Sequence, residues 1–313
     1  VQAHLSRTGL RGTAHPHPSL AGACRIRFDL PSPPPRVGIV IPTRDNVGVL
    51  SICIESLLQH TTYPDLRVVV VDNGSVKPET LAYLQAIEDP RVKVLRDDAP
   101  FNFSRLVNQG AAAVDGDVLC LLNNDMQITQ PDWLEEMVGW AIQDGVAAVG
   151  ARLWYGEGTL QHAGIVLGIQ GVAGHVHKTL AKGEDGYLHR AVLHQTMSAV
   201  TGACMVVRRS VFNELGGFDE DLGVAYNDVD FCLRARRSGL RNVWTPHAEM
   251  IHHESVSRGF EDSPEKLERF QRERNLMRSR WSEWLDDDPA YNPNLTLAHE
   301  DFGLAWPPRS RQP

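Results

Sequence analysis

The first half of the chain repeats one pattern four times: a short apolar run is followed by a stretch with helical spacing of its apolar residues. The runs have no helical period and are too short for buried helices, so each is interpreted as a strand covered on both faces. Strands that alternate with helices predict an α/β fold with a parallel, doubly wound sheet and right-handed crossovers. The four predicted strands are residues 37–41, 66–71, 92–95 and 118–122.

Polar loops follow three of these strands, at residues 42–46, 72–75 and 123–125. The carboxyl ends of parallel strands lie at one edge of a sheet, and ligands bind beyond that edge, so we expect the loops to share a site. The third loop ends in Asp125, a carboxylate flanked by amide oxygens, which suits a hard divalent cation carrying a ligand's phosphates. The alternative is an Asx turn that closes the strand. The first strand is not followed by G-x-G-x-x-G, which disfavours a dinucleotide fold.

The second half of the sequence changes character. Residues 156–186 are rich in Gly and His and predict loops and short strands, whereas strands are predicted at 198–208 and 241–244 and a helix at 228–238. In the first half, Ser104 is predicted to cap the N-terminus of its helix. We expect an N-terminal extension with a Pro-rich linker, a nucleotide-binding half, an acceptor half, and a C-terminal helix with a tail. Their predicted bounds are 1–35, 36–145, 146–260 and 261–313.

Charge and cysteine usage narrow the classes of function. The formal net charge is -8, so no basic field holds nucleic acid, and nucleic acid is not expected as a partner. Five scattered cysteines show no metal-ligand spacing, and Cys53, Cys120 and Cys232 lie in apolar patterns, as expected for buried thiols in a reducing compartment. No apolar run approaches the roughly 20 residues that span a bilayer, and no signal peptide is visible. We therefore expect a cytoplasmic protein. The sequence begins at Val1 rather than Met, which is compatible with flanking domains in a longer chain.

Five motifs carry a resemblance to a known family. They are Ile-Val-Ile-Pro-Thr-Arg at 39–44, Val-Val-Asp-Asn-Gly-Ser at 70–75, Leu-Leu-Asn-Asn-Asp at 121–125, Asn-Asp-Val-Asp-Phe-Cys-Leu-Arg at 227–234 and His-His-Glu-Ser at 252–255. Each motif alone is weak, but five in this order and spacing are specific. Over roughly residues 36–260 the chain resembles the inverting family 2 glycosyltransferases, and most of all the bacterial rhamnosyltransferase-like branch. The resemblance implies a GT-A fold: a Rossmann-like, mostly parallel central sheet flanked by helices, with a mixed acceptor-side half.

The resemblance also implies a role for each matching position. Asp125 would bind a divalent metal, Mn²⁺ or Mg²⁺, on the diphosphate of a sugar-nucleotide donor, and His252 would complete the metal site. Asp228 would be the general base. The loop after the first strand and the Asp of the second motif would hold the base and ribose. The positions expected to bind the nucleotide sugar are Pro42, Thr43, Arg44, Asp72, Asn73, Asn102, Asn108, Asn123, Asn124 and Arg258.

Two positions depart from the family pattern. Asn123 replaces one carboxylate of the family's D-x-D motif, which lowers the metal affinity that we expect. Asn227 replaces the Glu of the family's Glu-Asp pair. Nearby Asp230 is expected to be structural or to orient the acceptor.

Each motif also has a structural reading. Residues 72–75 have the composition of a plain turn, and Asp228 could be a helix N-cap. His252 and His253 are neighbours on a strand and point opposite ways, so the choice of metal ligand between them stays open. Arg258 could cover the diphosphate from a loop or lie in solvent. The histidines at 162, 175 and 177 are expected in loops, and the arginines at 269, 272 and 274 on a solvated helix face that is compatible with peripheral contact to anionic lipid.

The sequence therefore predicts a metal-dependent inverting glycosyltransferase. Inverting transfer needs a base for the proton of the acceptor hydroxyl and positive charge on the departing diphosphate. The resemblance implies dTDP-rhamnose or a UDP-sugar as donor and a glycan, lipid-linked at the inner membrane face, as acceptor in surface polysaccharide synthesis. One alternative is a sugar-nucleotide pyrophosphorylase, which would carry a glycine-rich loop after the first strand that this chain lacks. The other is a non-catalytic nucleotide- or glycan-binding module of a larger polymerase, with chemistry lost at Asn123 and Asn227.

Overall fold

A computed structural model describes residues 1–253 and 263–309. Its strands form a ten-stranded central sheet and two separate two-stranded sheets. The strands are β1 (Gly12–Pro16), β2 (Cys24–Phe28), β3 (Val37–Thr43), β4 (Leu66–Asp72), β5 (Val92–Arg96), β6 (Val118–Leu122), β7 (Met126–Ile128), β8 (Val146–Trp154), β9 (Leu160–His162), β10 (Ile165–Leu167), β11 (Ala173–His175), β12 (Gln195–Met197), β13 (Cys204–Arg208) and β14 (Arg241–His252).

The central sheet is parallel in the first half of the chain and mixed in the second. Its order is β12-β14-β8-β13-β6-β3-β4-β5, with β7 beside β14 and β9 beside β8. The strands β3, β4, β5 and β6 are parallel to their neighbours in this group. The strand β13 runs antiparallel between β6 and β8, while β14 is parallel to β8. This arrangement confirms the predicted α/β fold class.

Helices cover both faces of the sheet and enclose two apolar cores. One core receives side chains from α2, α3 and α5, and the other receives side chains from α4, α6, α7 and α8. The close approach of α4 to β3 requires Gly110, because a Cβ there would overlap Cγ1 of Val40. The helices are α1 (Gln2–Thr8), α2 (Val47–His60), α3 (Pro78–Gln85), α4 (Phe103–Ala113), α5 (Trp133–Ala141), α6 (Arg209–Glu214), α7 (Asn227–Arg237) and α8 (Pro264–Asp286).

The N-terminal segment is structured and packs on the central domain. The segment predicted as an extension with a Pro-rich linker contains the helix α1 and the antiparallel strands β1 and β2. Leu5 and Phe28 are buried in the same apolar core as α5. The ring of Phe28 meets Trp140 edge-on, with centroids 4.9 Å apart. Packing of this kind fixes the N-terminal segment against α5.

Two local predictions are wrong. The cap of α4 is Asn102, whose side chain accepts a hydrogen bond from Arg105 N, and Ser104 instead donates to Leu222 O. The strand predicted at 198–208 begins at Cys204. Before it, Gly202 N donates to the Asp228 carboxylate, Ser198 O accepts from Asn242 Nδ2, and Ala199 pairs with Ile165 of β10 in an isolated bridge.

The strand β14 is much longer than the four residues predicted at 241–244. The additional residues include Pro246, and proline within a sheet is found at edges and irregularities. In the structure, the pairing of β14 with β8 shifts register between Trp244 and Glu249, and this irregularity accommodates the proline. The extension matters because it carries the chain to His252.

Two further expectations concern buried cysteine thiols and helices that could cross a membrane. Cys53, Cys120 and Cys232 are buried free thiols as predicted, Cys204 is also buried, and Cys24 is exposed. Burial raises the pKa of the Cys53 and Cys232 thiols. Within the ranges 1–253 and 263–309, no helix combines the length and the apolar character needed to cross a bilayer.

Candidate active site

The polar loops after β3, β4 and β6 meet at one edge of the sheet, as the parallel topology predicted. Asn73 N donates to Thr43 O at 2.8 Å, which joins the first two loops. Asn124 Nδ2 donates to the Thr43 hydroxyl at 2.9 Å, which joins the first and third. The loops therefore form one continuous rim.

A cavity of about 440 Å³ opens at this rim. Five of the predicted donor-binding residues line it: Pro42, Thr43, Arg44, Asn123 and Asn124. Asp45 and Asn46 of the loop predicted at 42–46 also line it. The sequence did not indicate the remaining lining residues as ligand contacts: Lys77, Phe101, Phe103, Leu106, Val224, Lys266 and Arg269.

The lining of the cavity is cationic. It includes Arg44, Lys77, Lys266 and Arg269, and the acidic group that lines it is Asp45. The Asp45 carboxylate accepts hydrogen bonds from the backbone N–H groups of residues 76 and 77, which offsets its charge. A cavity with this charge suits an anionic ligand such as a diphosphate. Arg269 was expected on a solvated face, but it is half-buried and lines the cavity.

Asp125 and His252 lie together beside the cavity wall. His252 Nε2 is 3.1 Å from Asp125 Oδ1, and Asn123 Nδ2 is 3.4 Å from the same ring nitrogen. Strand pairing explains why this histidine and not its neighbour faces Asp125. His252 is the register partner of Met126, whereas His253 turns to the other side and contacts Gln127 Oε1 at 3.0 Å.

Gln161 sets the orientation of the His252 ring. Its Oε1 accepts the Nδ1 proton of His252 at 2.6 Å, and Gln161 is itself buried. In the neutral ring the Nε2 lone pair then points at the Asp125 carboxylate. A proton or a cation between these two acceptors removes their repulsion. Gln161 lies in a stretch without sequence periodicity, and no sequence signal identified it.

The side chains of Asp125 and His252 are suited to a divalent cation that a bound ligand also coordinates. Two neighbouring ligands at about 2.1 Å from an octahedral ion are about 3 Å apart, which the Asp125–His252 separation matches. Across the described part of the chain, no group of three or more His, Cys, Asp or Glu side chains is arranged to hold a metal ion. Mg²⁺-type sites commonly use one or two carboxylates and complete their coordination with substrate phosphates. The pair is therefore suited to a metal that arrives with a phosphate ligand.

A buried histidine and a half-buried one lie behind the pair. His162 is fully buried on β9, and its Nδ1 is 3.3 Å from Nδ1 of His175 on β11, so these two belong to short strands and not to loops. Burial, with the nearby His175 and His252, lowers the pKa of His162 well below its usual range. The ring of His162 is therefore neutral at pH 7.

Asp228 occupies the first turn of α7, next to the loop that carries Asn123. Its carboxylate accepts hydrogen bonds from Gly202 N and Val229 N, both at 2.8 Å. The carbonyl of Ala203, the residue that follows Gly202, accepts a hydrogen bond from Asn123 N at 2.9 Å. One short backbone segment therefore separates the half-buried Asp228 from the end of β6. The N-cap position of α7 is Tyr226, so Asp228 does not fill the cap.

Other predicted site residues make structural contacts. Asp72 accepts from Ser75 N at 3.0 Å and pairs with Arg96 Nη1 at 2.6 Å, and Asn73 Nδ2 donates to the carbonyls of residues 97 and 99. The bond to Ser75 N closes the turn at 72–75, the other contacts hold this turn to residues 96–99, and neither Asp72 nor Asn73 is among the residues lining the cavity.

Asn102 and Asn108 connect α4 to the segment before α7. The side-chain Nδ2 of each donates to a backbone carbonyl, to Glu220 O and Phe218 O respectively. The cavity lining includes neither of them. Arg258 falls outside the described residues. Asp230 is buried and accepts from Arg234 Nε at 2.7 Å and Trp281 Nε1 at 2.9 Å, a structural role.

Comparison with solved structures identifies the class of this fold. The mannosyltransferase PcManGT from Pyrobaculum calidifontis, solved with GDP-Man and Mn²⁺, matches with a TM-score of 0.56 and 15% identity over 81% of this chain and 70% of that one. GalNAc-T7, solved with UDP, GalNAc and Mn²⁺, matches with a TM-score of 0.63 and 17% identity over 80% of this chain and 49% of that one. The fold is that of the GT-A glycosyltransferases, as the sequence predicted.

The family follows from sequence comparison. The family model for glycosyl transferase family 2 matches residues 38–216, more than half of the chain, and the chain belongs to that family. Uncharacterized protein y4gI of Sinorhizobium fredii is 50% identical over 87% of the chain, and the O-antigen biosynthesis protein RfbC of Myxococcus xanthus is 40% identical over 90%. The chain spans 30% of the length of the first relative and 22% of the second.

Proposed function

We propose that this chain is the catalytic domain of an inverting, metal-dependent glycosyltransferase that uses a nucleoside-diphosphate sugar. The observation that carries the proposal is the Asp125–His252 pair, with atoms 3.1 Å apart, beside a cation-lined cavity. A diphosphate needs positive charge on several sides. Cationic side chains line the cavity, and the Asp125–His252 pair would hold a metal.

The donor's nucleotide would lie in the cavity between the loop after β3 and the start of α4. Thr43 and Asn124 form a hydrogen-bonded wall, and Arg44 and Lys77 lie where anionic groups would bind. Phe101, which is 42% exposed, offers an aromatic surface for a base at the same cavity. When bound, Mn²⁺ or Mg²⁺ supplies positive charge that stabilises the diphosphate as it departs.

Asp228 is the proposed general base. In inverting transfer the acceptor hydroxyl attacks the anomeric carbon and gives up its proton as the bond to the diphosphate breaks. The carboxylate is held by two backbone N–H groups and remains half-buried, so it is oriented yet accessible. Asn227 does not weaken this assignment, because its side chain is used in the fold: its Nδ2 donates to Leu222 O and Val224 O, and its Oδ1 accepts from Asp228 N.

The names of relatives support a role in bacterial polysaccharide synthesis. Beside RfbC, they include the succinoglycan biosynthesis protein ExoA of Rhizobium meliloti and the O-antigen chain rhamnosyltransferase RfbN of Salmonella typhimurium. We propose a glycan acceptor, lipid-linked at the inner face of the membrane, and dTDP-rhamnose or a UDP-sugar as donor. A cytoplasmic location, peripheral contact with the membrane and flanking domains in a longer protein belong to the same proposal.

Calorimetric titration of UDP, dTDP and GDP, each with and without MnCl₂, tests the donor site. We expect one nucleotide to bind in a metal-dependent manner, and Asp125→Ala and His252→Ala to weaken that binding by about 10- to 100-fold. His253→Ala is the matched control, because this neighbouring ring contacts Gln127 and should leave affinity within about twofold.

Three results would contradict parts of the proposal. Metal-independent binding that Asp125→Ala leaves unchanged would remove the metal role and favour a nucleotide-binding module. Equal losses in His252→Ala and His253→Ala would mean that the histidines act through local stability. Absence of binding for all three nucleotides would refute the donor site in this chain.

A further inference from the structure

The segment before α7 is held from two sides, and one side is the C-terminal helix. The buried carboxylate of Glu273 on α8 accepts hydrogen bonds from Val224 N at 3.0 Å and Ala225 N at 2.8 Å. These two amides lie directly before the first turn of α7, which carries Asp228. Charge-assisted hydrogen bonds of this type are about twice as strong as neutral ones, so the contact fixes the backbone there.

The opposite side of the segment is held by the start of α4. Phe103 N donates to Gly223 O at 2.6 Å, and the Ser104 hydroxyl donates to Leu222 O at 2.6 Å. Phe103 and Val224 also line the cavity proposed for the donor. The segment therefore lies between the donor cavity, the proposed base and α8.

A second buried contact joins α8 to α7, two turns of α8 beyond Glu273. Trp281 Nε1 of α8 donates to Asp230 at 2.9 Å, and Asp230 is 1% exposed. Eight residues of helix separate Glu273 from Trp281, which is about 12 Å. Asp228 lies between the backbone held by Glu273 and the carboxylate held by Trp281. Contacts with α8 therefore hold the chain both before and after Asp228.

The backbone between these contacts adopts a conformation that needs support. Tyr226 has a φ of 62°, in the left-handed region that a tyrosine rarely occupies. Residues in this region are strained and persist where the surroundings hold them. The two amides bonded to Glu273 lie immediately before Tyr226, whose ring packs against Phe270 of α8, with centroids 5.7 Å apart.

We propose that Glu273 is a positioning residue for the general base: it holds residues 224–226 so that the first turn of α7 presents Asp228 to the acceptor. This inference rests on the proposed function of Asp228. It gives α8, which lies outside the family match at residues 38–216, a part in catalysis. Glu273 acts through the backbone and makes no contact with reacting atoms.

The test compares Glu273→Gln with a matched change on the same helix. Arg278→Ala removes a hydrogen bond from α8 to Gly171 O, a residue outside α7 and the segment before it. Any effect of this variant therefore reports general loosening of α8. Hydrogen exchange is measured at amides 224–229, and turnover as release of dTDP from dTDP-L-rhamnose and of UDP from UDP-glucose, with water as acceptor. Asp228→Asn is run in parallel.

We expect Glu273→Gln to speed exchange at amides 224–229 at least tenfold and to lower kcat about 10- to 100-fold with KM within about threefold, because misplacement by about 1 Å can cost 100-fold. Glu273→Asp, which keeps the charge but shortens the side chain, should fall between. Arg278→Ala should leave both measurements near wild type.

The outcomes separate the inference from the proposed function. If Asp228→Asn turns over as fast as wild type, the base assignment fails whatever Glu273 does. If Asp228→Asn is inactive while Glu273→Gln keeps wild-type kcat or exchange at 226–229, the positioning role is overturned. Equal changes in Glu273→Gln and Arg278→Ala would also overturn it, since both would then reflect loosening of α8.

Discussion

Replacing Glu136 with glutamine should destabilise the protein through the contact between α5 and the N-terminal segment. The carboxylate is 3% exposed and accepts hydrogen bonds from Arg25 Nη2 at 2.9 Å, His194 Nε2 at 3.0 Å and the Thr245 hydroxyl at 3.0 Å. Burial alone would raise the pKa of Glu136, but the hydrogen bonds and charges of His194 and Arg25 outweigh it and lower the pKa from 4.5 to about 2.

The difference between the folded and unfolded pKa values of Glu136 sets the size of its contribution to stability. Each pKa unit is worth about 1.4 kcal/mol, so ionised Glu136 contributes about 3 kcal/mol to the free energy of unfolding at pH 7. Because the folded pKa is the lower one, this stability is present above about pH 4.5 and is lost as the pH falls through about 2. Glutamine cannot ionise, so Glu136→Gln should be less stable by about 3 kcal/mol at pH 7 and by about 1 kcal/mol at pH 3.

Urea unfolding followed by tryptophan fluorescence at both pH values measures this difference. Glu135→Gln, on the same helix, is the matched control, because its carboxylate accepts an exposed hydrogen bond from Thr62 and should change stability by less than about 0.5 kcal/mol. A difference below about 1 kcal/mol for Glu136→Gln at pH 7, or one that does not shrink at pH 3, would refute the reasoning.

Two further substitutions test the site. Asp228→Asn should lower kcat by about 10²- to 10⁴-fold. It should leave nucleotide affinity within about twofold, because Asp228 does not line the cavity. Release of the nucleoside diphosphate measures kcat and calorimetry measures affinity; turnover at the wild-type rate would exclude the base role. Asn123→Asp places a second carboxylate near His252, 3.4 Å from the present amide nitrogen. It should tighten nucleotide-dependent Mn²⁺ binding about tenfold in calorimetry, and an unchanged affinity would mean that this side chain does not face the cation.

The first half of the fold was predictable because its strands are encoded locally. The apolar run predicted at 37–41 became β3, Val37–Thr43, and the run at 118–122 became β6 with the same bounds. Parallel strands must place their carboxyl ends at one edge, so the convergence of the three polar loops followed from the strand order. Sequence reasoning therefore found the rim formed by Thr43 and Asn124.

The remainder of the site depends on contacts between distant parts of the chain. Gln161 meets His252 across 91 residues and belongs to a segment without periodicity. The choice of His252 over His253 follows from the register of β14 with β7, which no local pattern states. Lys266 and Arg269 look like an ordinary charged helix face in sequence, and only the placement of α8 brings them to the cavity.

The pairing of β14 with β7 also constrains the order of events during synthesis. Asn123 and His252 are 129 residues apart, so a growing chain has its complete parallel half long before His252 is made. Contacts between such distant residues form late, because a large loop must close before they are gained. Metal-dependent nucleotide binding should thus appear only once β14 has joined the sheet. A nucleotide bound as proposed would stabilise the finished domain but not a nascent or truncated chain that ends before this strand.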